Sequence, residues 1–385
     1  MFKPLFISAS ILSLFSPLVF AETENTEKNL DVSGTIRFQY THNDYLEDSG
    51  NKIDFSDAVL WLNYQKDKVS GHLDYRVYEA HDKLAGIHFP VNAWLAYNPT
   101  PEHKITAGLQ PVPIGLSRYY SSTYNLTQLY QLGLEEVNNW GLSYQYQPEN
   151  FNFNLAYFFA GAGSHTGKSK NSSHYSSNLT AEPSAENTTQ LEEKNSIALK
   201  VDKTFQHQIG HQDIQSTLGS SYLYTELDNL KTHQTGERQV WTAFYKTKVD
   251  NLNFNIIYGG QDINNKDDLI SKESTFGFFD GYYNVANKGN FLSTEVNYTL
   301  PYSFNNWSQP LLYSNYSRYF KDEKGYQDSE RLINGVYTKY KDNLQFYLEY
   351  ISTRNDTAFG VADGYSKGSS NEWNNKLFLS LGYYF

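Results

Sequence analysis

The chain reads as an all-β protein: a transmembrane antiparallel β-barrel of about sixteen strands, with long extracellular loops and short periplasmic turns. Three observations predict this. Apolar and polar residues alternate with period two from Asp31 to the last residue, as a sheet with two unlike faces requires. Long and short connections alternate down the chain, matching the two rims of a barrel. Finally, 33 Tyr and 24 Phe stand beside one Met and no Cys, an aromatic load suited to surfaces that are half apolar and half wet.

The first element is a leader. Lys3 precedes an apolar run from Leu5 to Phe20, broken only by small residues and Pro17, and Val19-Phe20-Ala21 ends it as a signal peptidase requires. The run is short for a spanning helix, which needs roughly 20 apolar residues. Residues 1–21 are therefore read as a signal peptide and 22–30 as a short periplasmic segment ahead of a barrel over 31–385. An exported chain without Cys must draw its stability from hydrogen-bonded sheet rather than disulfides. Formal net charge is −11, and loss of the single charge at Lys3 takes it to −12. Such acidity disfavours nucleic acid as a partner.

Strands follow in order. The expected spans are 31–40, 55–64, 69–78, 90–98, 103–110, 139–147, 151–159 and 194–202, then 215–224, 238–248, 251–258, 290–300, 309–319, 331–340, 344–353 and 375–385. Val32, Gly34, Ile36, Phe38 and Tyr40 oppose Ser33, Thr35, Arg37 and Gln39. Val69, Leu73, Tyr75 and Val77 oppose His72, Asp74 and Arg76, and Leu377 to Phe385 repeats the pattern at the end. Alternation is weakest in 90–98, 238–248, 309–319 and 331–340. Tilted strands of about 9–11 residues are long enough to cross a bilayer, and in hydrocarbon every backbone N–H and C=O must be bonded, which excludes an open edge. Short links at 65–68, 99–102, 148–150, 249–250 and 341–343 alternate with long loops at 111–138, 160–193, 259–289 and 354–374. The link 202–214 is longer than a tight turn and departs from this pattern.

The loop 111–138 carries the main functional expectation. It mixes Pro111, Pro113 and Gly115 with Leu116, Tyr119, Tyr120, Tyr124, Leu126 and Tyr130, more large apolar groups than a fully exposed loop carries. It is expected to fold into the lumen and form a constriction with Arg118, Tyr119, Tyr120, Tyr124, Glu135 and Glu136. Packing on the outer rim is the alternative.

Taken together, the leader, the strand number, the long loop after the fifth strand and the terminal aromatic Phe385 resemble the sixteen-stranded porins of Gram-negative outer membranes. The run from Gly108 to Leu116 resembles the strand-to-loop passage of the phosphate-selective porin O and P group. That resemblance implies an inward constriction loop, an outer-membrane location amid lipid and lipopolysaccharide, possible homotrimers, and recognition of Phe385 by the barrel-assembly machinery. The Arg-rich ladder of that group has no counterpart here.

Strand parity assigns pore-lining charges at Arg37, Asp74, Arg76, Lys104, Lys200, Lys246, Glu295, Arg318, Glu349 and Lys376. This wall is more basic than acidic, which favours weak anion preference, since rings of one sign bias which ions pass. Inward parity also falls on Trp61, Trp94, Phe158 and Tyr347, which either pack the inserted loop or offer faces to sugars. Catalytic signals are poor. Gly163-Ser164-His165 lacks a third orienting group, His207 and His211 lie in an expected turn, and Asp262, Asn264, Asp267 and Asp268 lack the glycine of a calcium loop. No cofactor or metal is implied. The expected function is passive diffusion of small hydrophilic solutes or ions. A substrate-specific channel for anions, phosphate or sugar is the nearest alternative, ahead of a plugged adhesive barrel or an outer-membrane enzyme.

Overall fold

All sixteen expected segments are strands, and they close into one barrel in the computed structural model, which describes residues 29–45, 51–116, 120–183, 187–210, 212–369 and 371–385. The signal-peptide span 1–21 lies outside the described residues. Barrel strands are β1 (Leu30–Asn43), β2 (Lys52–Lys66), β3 (Val69–Ala80), β4 (Lys83–Thr100), β5 (His103–Pro111), β6 (Asn138–Tyr146), β7 (Phe151–Ala160) and β9 (Leu191–Ile209). The wall continues through β10 (Gln212–Asn229), β11 (Gln234–Val249), β12 (Leu252–Asn264), β15 (Lys288–Thr299), β16 (Leu311–Lys321), β17 (Ser329–Tyr340), β18 (Leu344–Arg354) and β19 (Asn374–Tyr384). Three further strands lie within the loops. β8 (Asn178–Leu179), β13 (Glu273–Phe278) and β14 (Gly281–Ala286) form a separate sheet in the order β14-β13-β8.

Closure is made by β1 pairing antiparallel with β19, so neither strand keeps an open edge. The last residue completes the seam: Phe385 N–H donates to the Gly34 carbonyl at 3.1 Å, and Gly34 N–H donates back at 3.0 Å. Gly34 is required here, because a Cβ would sit 2.8 Å from the Phe385 ring. At the other tight joint, between β3 and β4, His81 (φ 56°) and Asp82 (φ 61°) supply the two left-handed residues of a hairpin turn.

The link 202–214 is a correction. β9 runs to Ile209 and pairs with β10 from Gln212, turning at Gly210 (φ 64°). Alternation fades there because residues 205–208 are exposed on both faces, so nothing selects an apolar side. His207 accordingly stands on a strand; His211 lies outside the described residues.

Outward rows carry exposed Leu95, Leu142, Leu155, Leu218, Val296 and Leu348 around the girth. Tyr64, Tyr97, Tyr298 and Tyr383 lie outward near the short-turn rim, and Phe159, Tyr222 and Trp241 outward toward the long-loop rim. An apolar band between two aromatic girdles is what a bilayer's hydrocarbon and its interfaces select. Refolding into lipid vesicles, followed in urea, should therefore distinguish the two faces. Leu142→Arg is expected to cost about 2–4 kcal/mol at mid-depth, whereas Gln145→Arg, three residues on and inward, should change stability little.

Candidate functional site

The long loop between β5 and β6 carries backbone donors and acceptors into the barrel, and each must find a partner there. The wall supplies them strand by strand. Ser221 on β10 accepts the Gly115 N–H at 2.9 Å, and Lys200 on β9 donates to the Leu116 carbonyl at 2.8 Å. Asn255 on β12 donates to the Tyr120 carbonyl at 3.2 Å. On β15, Glu295 accepts both the backbone N–H (2.9 Å) and the hydroxyl (2.7 Å) of Ser122. On β18, Glu349 accepts Tyr124 N–H at 2.6 Å, with Asn125 N–H and side chain on its other oxygen.

Arg331 on β17 donates to the Asn125 and Leu126 carbonyls at 3.3 and 3.0 Å while it grips Asp356 through two nitrogens. Ser317 on β16 accepts Gln128 N–H at 3.2 Å, and Arg238 on β11 donates to the Leu132 carbonyl. Eight strands that are consecutive around the wall, β9 to β18, thus each hold the loop. One turn of helix, α1 (Gln128–Gln131), is capped by Thr127, whose hydroxyl accepts Leu129 N–H.

Because the loop hugs that arc, space remains against the opposite wall. A cavity of about 590 Å3 lies between the loop's Thr123 to Gln131 and the inward rows of β1, β2 and β3. Arg37 and Asp57 pair through two bonds at 2.6 and 2.8 Å, and Arg76 pairs with Asp74 at 3.0 and 2.9 Å. These are bidentate pairs, the strong form of the guanidinium–carboxylate bond. From the loop, Tyr124 reaches across so that its hydroxyl lies 3.2 Å from Ser56, with the Arg37 guanidinium 5.5 Å from its ring centre.

The sheet of β8, β13 and β14 covers the loop toward the long-loop rim. The Tyr283 hydroxyl donates to the Gln131 carbonyl at 2.7 Å, and the Tyr130 hydroxyl donates to the Tyr175 carbonyl. The β13–β14 tip crosses to the far wall, where Phe279 meets Tyr78 and Phe89 at 4.7 and 5.3 Å. Asp280 fastens it there, 2.7 Å from His81 and accepting the N–H groups of Lys168 and Ser169.

The sequence-derived residues separate into groups. Arg37, Asp74 and Arg76 line the cavity, as does Tyr124. Lys200, Glu295 and Glu349 face inward but are buried beneath the loop as its anchors. Lys376 is held near Phe359 and Phe378 at 5.5 and 5.3 Å. Lys104 sits 4.2 Å above Trp94 toward the short-turn rim, and Lys246 faces inward on β11, opposite Asn255 of β12. Tyr120 bonds Thr127 at 3.0 Å; Glu136 accepts the Tyr175 hydroxyl at 2.7 Å. Arg118 and Tyr119 lie outside the described residues.

Arg318 is a correction: it projects outward, bound to Asp328 at 2.6 Å, because Tyr313, Asn315, Ser317 and Tyr319 form the inward row of β16. Its outward row mixes Leu312, Ser314 and Tyr316, so parity could not be read from polarity. Of the inward aromatics, Trp61 and Tyr347 line the cavity, while Phe158 is buried in the packing beneath the loop. Arg238 and Arg331 are functional residues outside the sequence-derived set; each is the first residue of an expected strand, 238–248 or 331–340, and the inward parity of that strand marks it.

The fold has close solved counterparts despite low sequence identity. OmpF of Salmonella typhi, solved with daunomycin, aligns over 92% of this chain and 97% of its own, with TM-score 0.59 and 12% identity. An anion-selective porin from Comamonas acidovorans aligns over 92% and 99% (TM-score 0.54, 11% identity). OmpT, an outer membrane protein of Vibrio cholerae described in a trimer form, aligns over 92% and 99% (TM-score 0.52, 15% identity). These likenesses establish the sixteen-stranded porin fold. No protein-family model matches the chain, and no curated protein matches it in sequence.

Among the loop's groups, Glu135 carries a pH dependence. It accepts from Thr127 N–H, the Thr127 hydroxyl and the Ser121 hydroxyl, yet burial, helped by adjacent Glu136, pushes its carboxyl from 4.5 up to about 7. The seated loop therefore binds this proton more tightly than a released one, and the stability so gained is lost as pH rises through about 7. Amide exchange at Thr127 to Leu132, corrected for intrinsic rate, should be slower at pH 6 than at pH 8. Glu135→Gln should flatten the difference.

Proposed function

We propose that the protein is an outer-membrane channel for passive diffusion of small hydrophilic solutes, and that the inserted loop 111–138 sets its constriction. The observation that carries this reading is the lopsided lumen: eight strands bind the loop, and a cavity with paired charges remains against β1, β2 and β3, flanked by β18 and β19. The apolar outward band between aromatic girdles supports a bilayer position, with the long loops outside the cell and the short turns in the periplasm. A leader cleaved near Ala21 accords with export to that membrane. Phe385, pinned to Gly34 with its ring outward, is a surface the assembly machinery could grip without opening the seam. Association as a homotrimer draws support from the trimer form of the Vibrio cholerae counterpart.

Within the cavity the charges compensate. Two Arg and two Asp form two bidentate pairs, so among the described residues the cavity carries no ring of single sign to face a passing ion. This replaces the expected anion preference with weak selectivity, and it sets aside phosphate as a favoured solute. The carboxylates that parity placed in the lumen, Glu295 and Glu349, serve to hold backbone instead, which favours a channel over an enzyme.

Conductance in planar bilayers tests the reading. A steady ionic current with a reversal potential near zero in a salt gradient is expected, and absence of current under any condition would reject it. Arg37→Gln leaves Asp57 uncompensated and should shift selectivity toward cations; Asp57→Asn should shift it toward anions. Asp280→Ala, by freeing the β13–β14 tip from His81 and the 168–169 backbone, should raise conductance.

A further inference from the structure

Aromatic rings follow the open side of the lumen from one end of the cavity to the other. Toward the short-turn rim, Trp61 and Tyr384 lie nearly parallel, with centres 6.1 Å apart and planes 15° from coincidence. Midway, Tyr347 stands 5.3 Å from Tyr124. At the upper end the cavity reaches Tyr78 and the hairpin-tip ring of Phe279. These rings come from β2, β3, β18 and β19, from the inserted loop and from the β13–β14 tip. Tyr78 and Phe279 pack with the loop's Tyr130 and Leu126, and Tyr124 and Tyr347 pack with Tyr313 and Phe378, yet all four also border the cavity, and Trp61 and Tyr384 border it without joining either cluster.

Between the rings stand the two ion pairs. Each presents carboxylate acceptors and guanidinium donors side by side, with Gln39 and Ser56 on the same wall. Because each charge is already matched, an anion or a cation gains no net attraction by entering. A zwitterion would have to compete with bidentate pairs at 2.6–3.0 Å. A neutral ring with apolar C–H faces and a rim of hydroxyls meets neither obstacle: its faces lie on the aromatics, and its hydroxyls both donate to carboxylate and accept from guanidinium. At about 590 Å3, the cavity falls in the range of roughly 300–1,000 Å3 usual for small-molecule sites.

We infer that this cavity is a binding track for neutral carbohydrates, with Trp61, Tyr347 and Tyr124 as stacking surfaces and the Arg37–Asp57 and Asp74–Arg76 pairs as hydroxyl partners. The inference rests on the channel reading above and narrows it to a solute class.

The test is current block in planar bilayers by maltotriose, with a polyethylene glycol of similar mass as a control that lacks ring faces. Maltotriose should block the current saturably and the polymer should not. Trp61→Ala and Tyr347→Ala should each weaken the maltotriose block by about three- to tenfold, while Trp61→Phe should keep most of it. A steady sugar-free current from each variant, at or above that of the parent, shows that it is folded and inserted. A conducting channel that maltotriose blocks no better than the polymer, or blocks equally in the parent and both Ala variants, overturns the carbohydrate track and leaves the channel intact. A protein that never conducts overturns both.

Discussion

Buried backbone polar groups must be bonded, and this constraint acts on the barrel twice. It first requires that β1 and β19 meet, since an open edge in hydrocarbon would leave a row of N–H and C=O groups without partners. It acts again on the chain that enters the lumen between β5 and β6. Among its described residues that segment makes one turn of helix, so most of its amides depend on the wall or on the loop's own side chains. Glu295 and Glu349 meet the need by each accepting from the loop backbone with one carboxylate. Arg331 and Arg238 meet the converse need, donating to carbonyls. Charged groups are suited to this because their hydrogen bonds are shorter and stronger than neutral ones.

The division of the lumen follows. Lys200, Arg238, Glu295, Arg331 and Glu349 on the β9 to β18 arc bond the loop and are buried, so they lend little field to a solute. Charges on β1 to β3 face the cavity but pair with each other. Around the cavity Arg37 balances Asp57 and Arg76 balances Asp74, although the chain as a whole is acidic. Net charge and lumen charge are separate quantities here, joined only through which side chains the loop leaves uncovered.

The barrel was legible because its cause is local. A strand between lipid and water has to alternate, and Val32 to Tyr40 or Leu377 to Phe385 display that alternation over a few residues. Where both faces are wet, as at 205–208, the signal vanished and a strand was read as a link. Where the outward row is mixed, as at Leu312, Ser314, Tyr316 and Arg318, a side chain was assigned to the wrong face. The site was legible in part. Inward parity found Arg37, Asp74, Arg76, Glu295 and Glu349, yet could not divide wall charges that line the cavity from those that anchor the loop. That division depends on partners such as Ser122 and Tyr124, which lie 173 and 225 residues from their carboxylates, beyond any periodicity. The small sheet over the loop was hidden for the same reason: β8 and β13 come from two separate loops and become strands only when they meet.

In the proposed channel, solutes pass along β1 to β3 while the loop seals the opposite arc. The chain has no Cys, so single cysteines can be placed without background and probed by a charged, thiol-reactive reagent during conductance recording. Gln39→Cys, on the cavity wall, should react and lower the current; Asn315→Cys, inward on β16 but buried under the loop, should be silent. Reaction and current loss at Asn315→Cys, with none at Gln39→Cys, would put the passage on the other side of the barrel and contradict the claim.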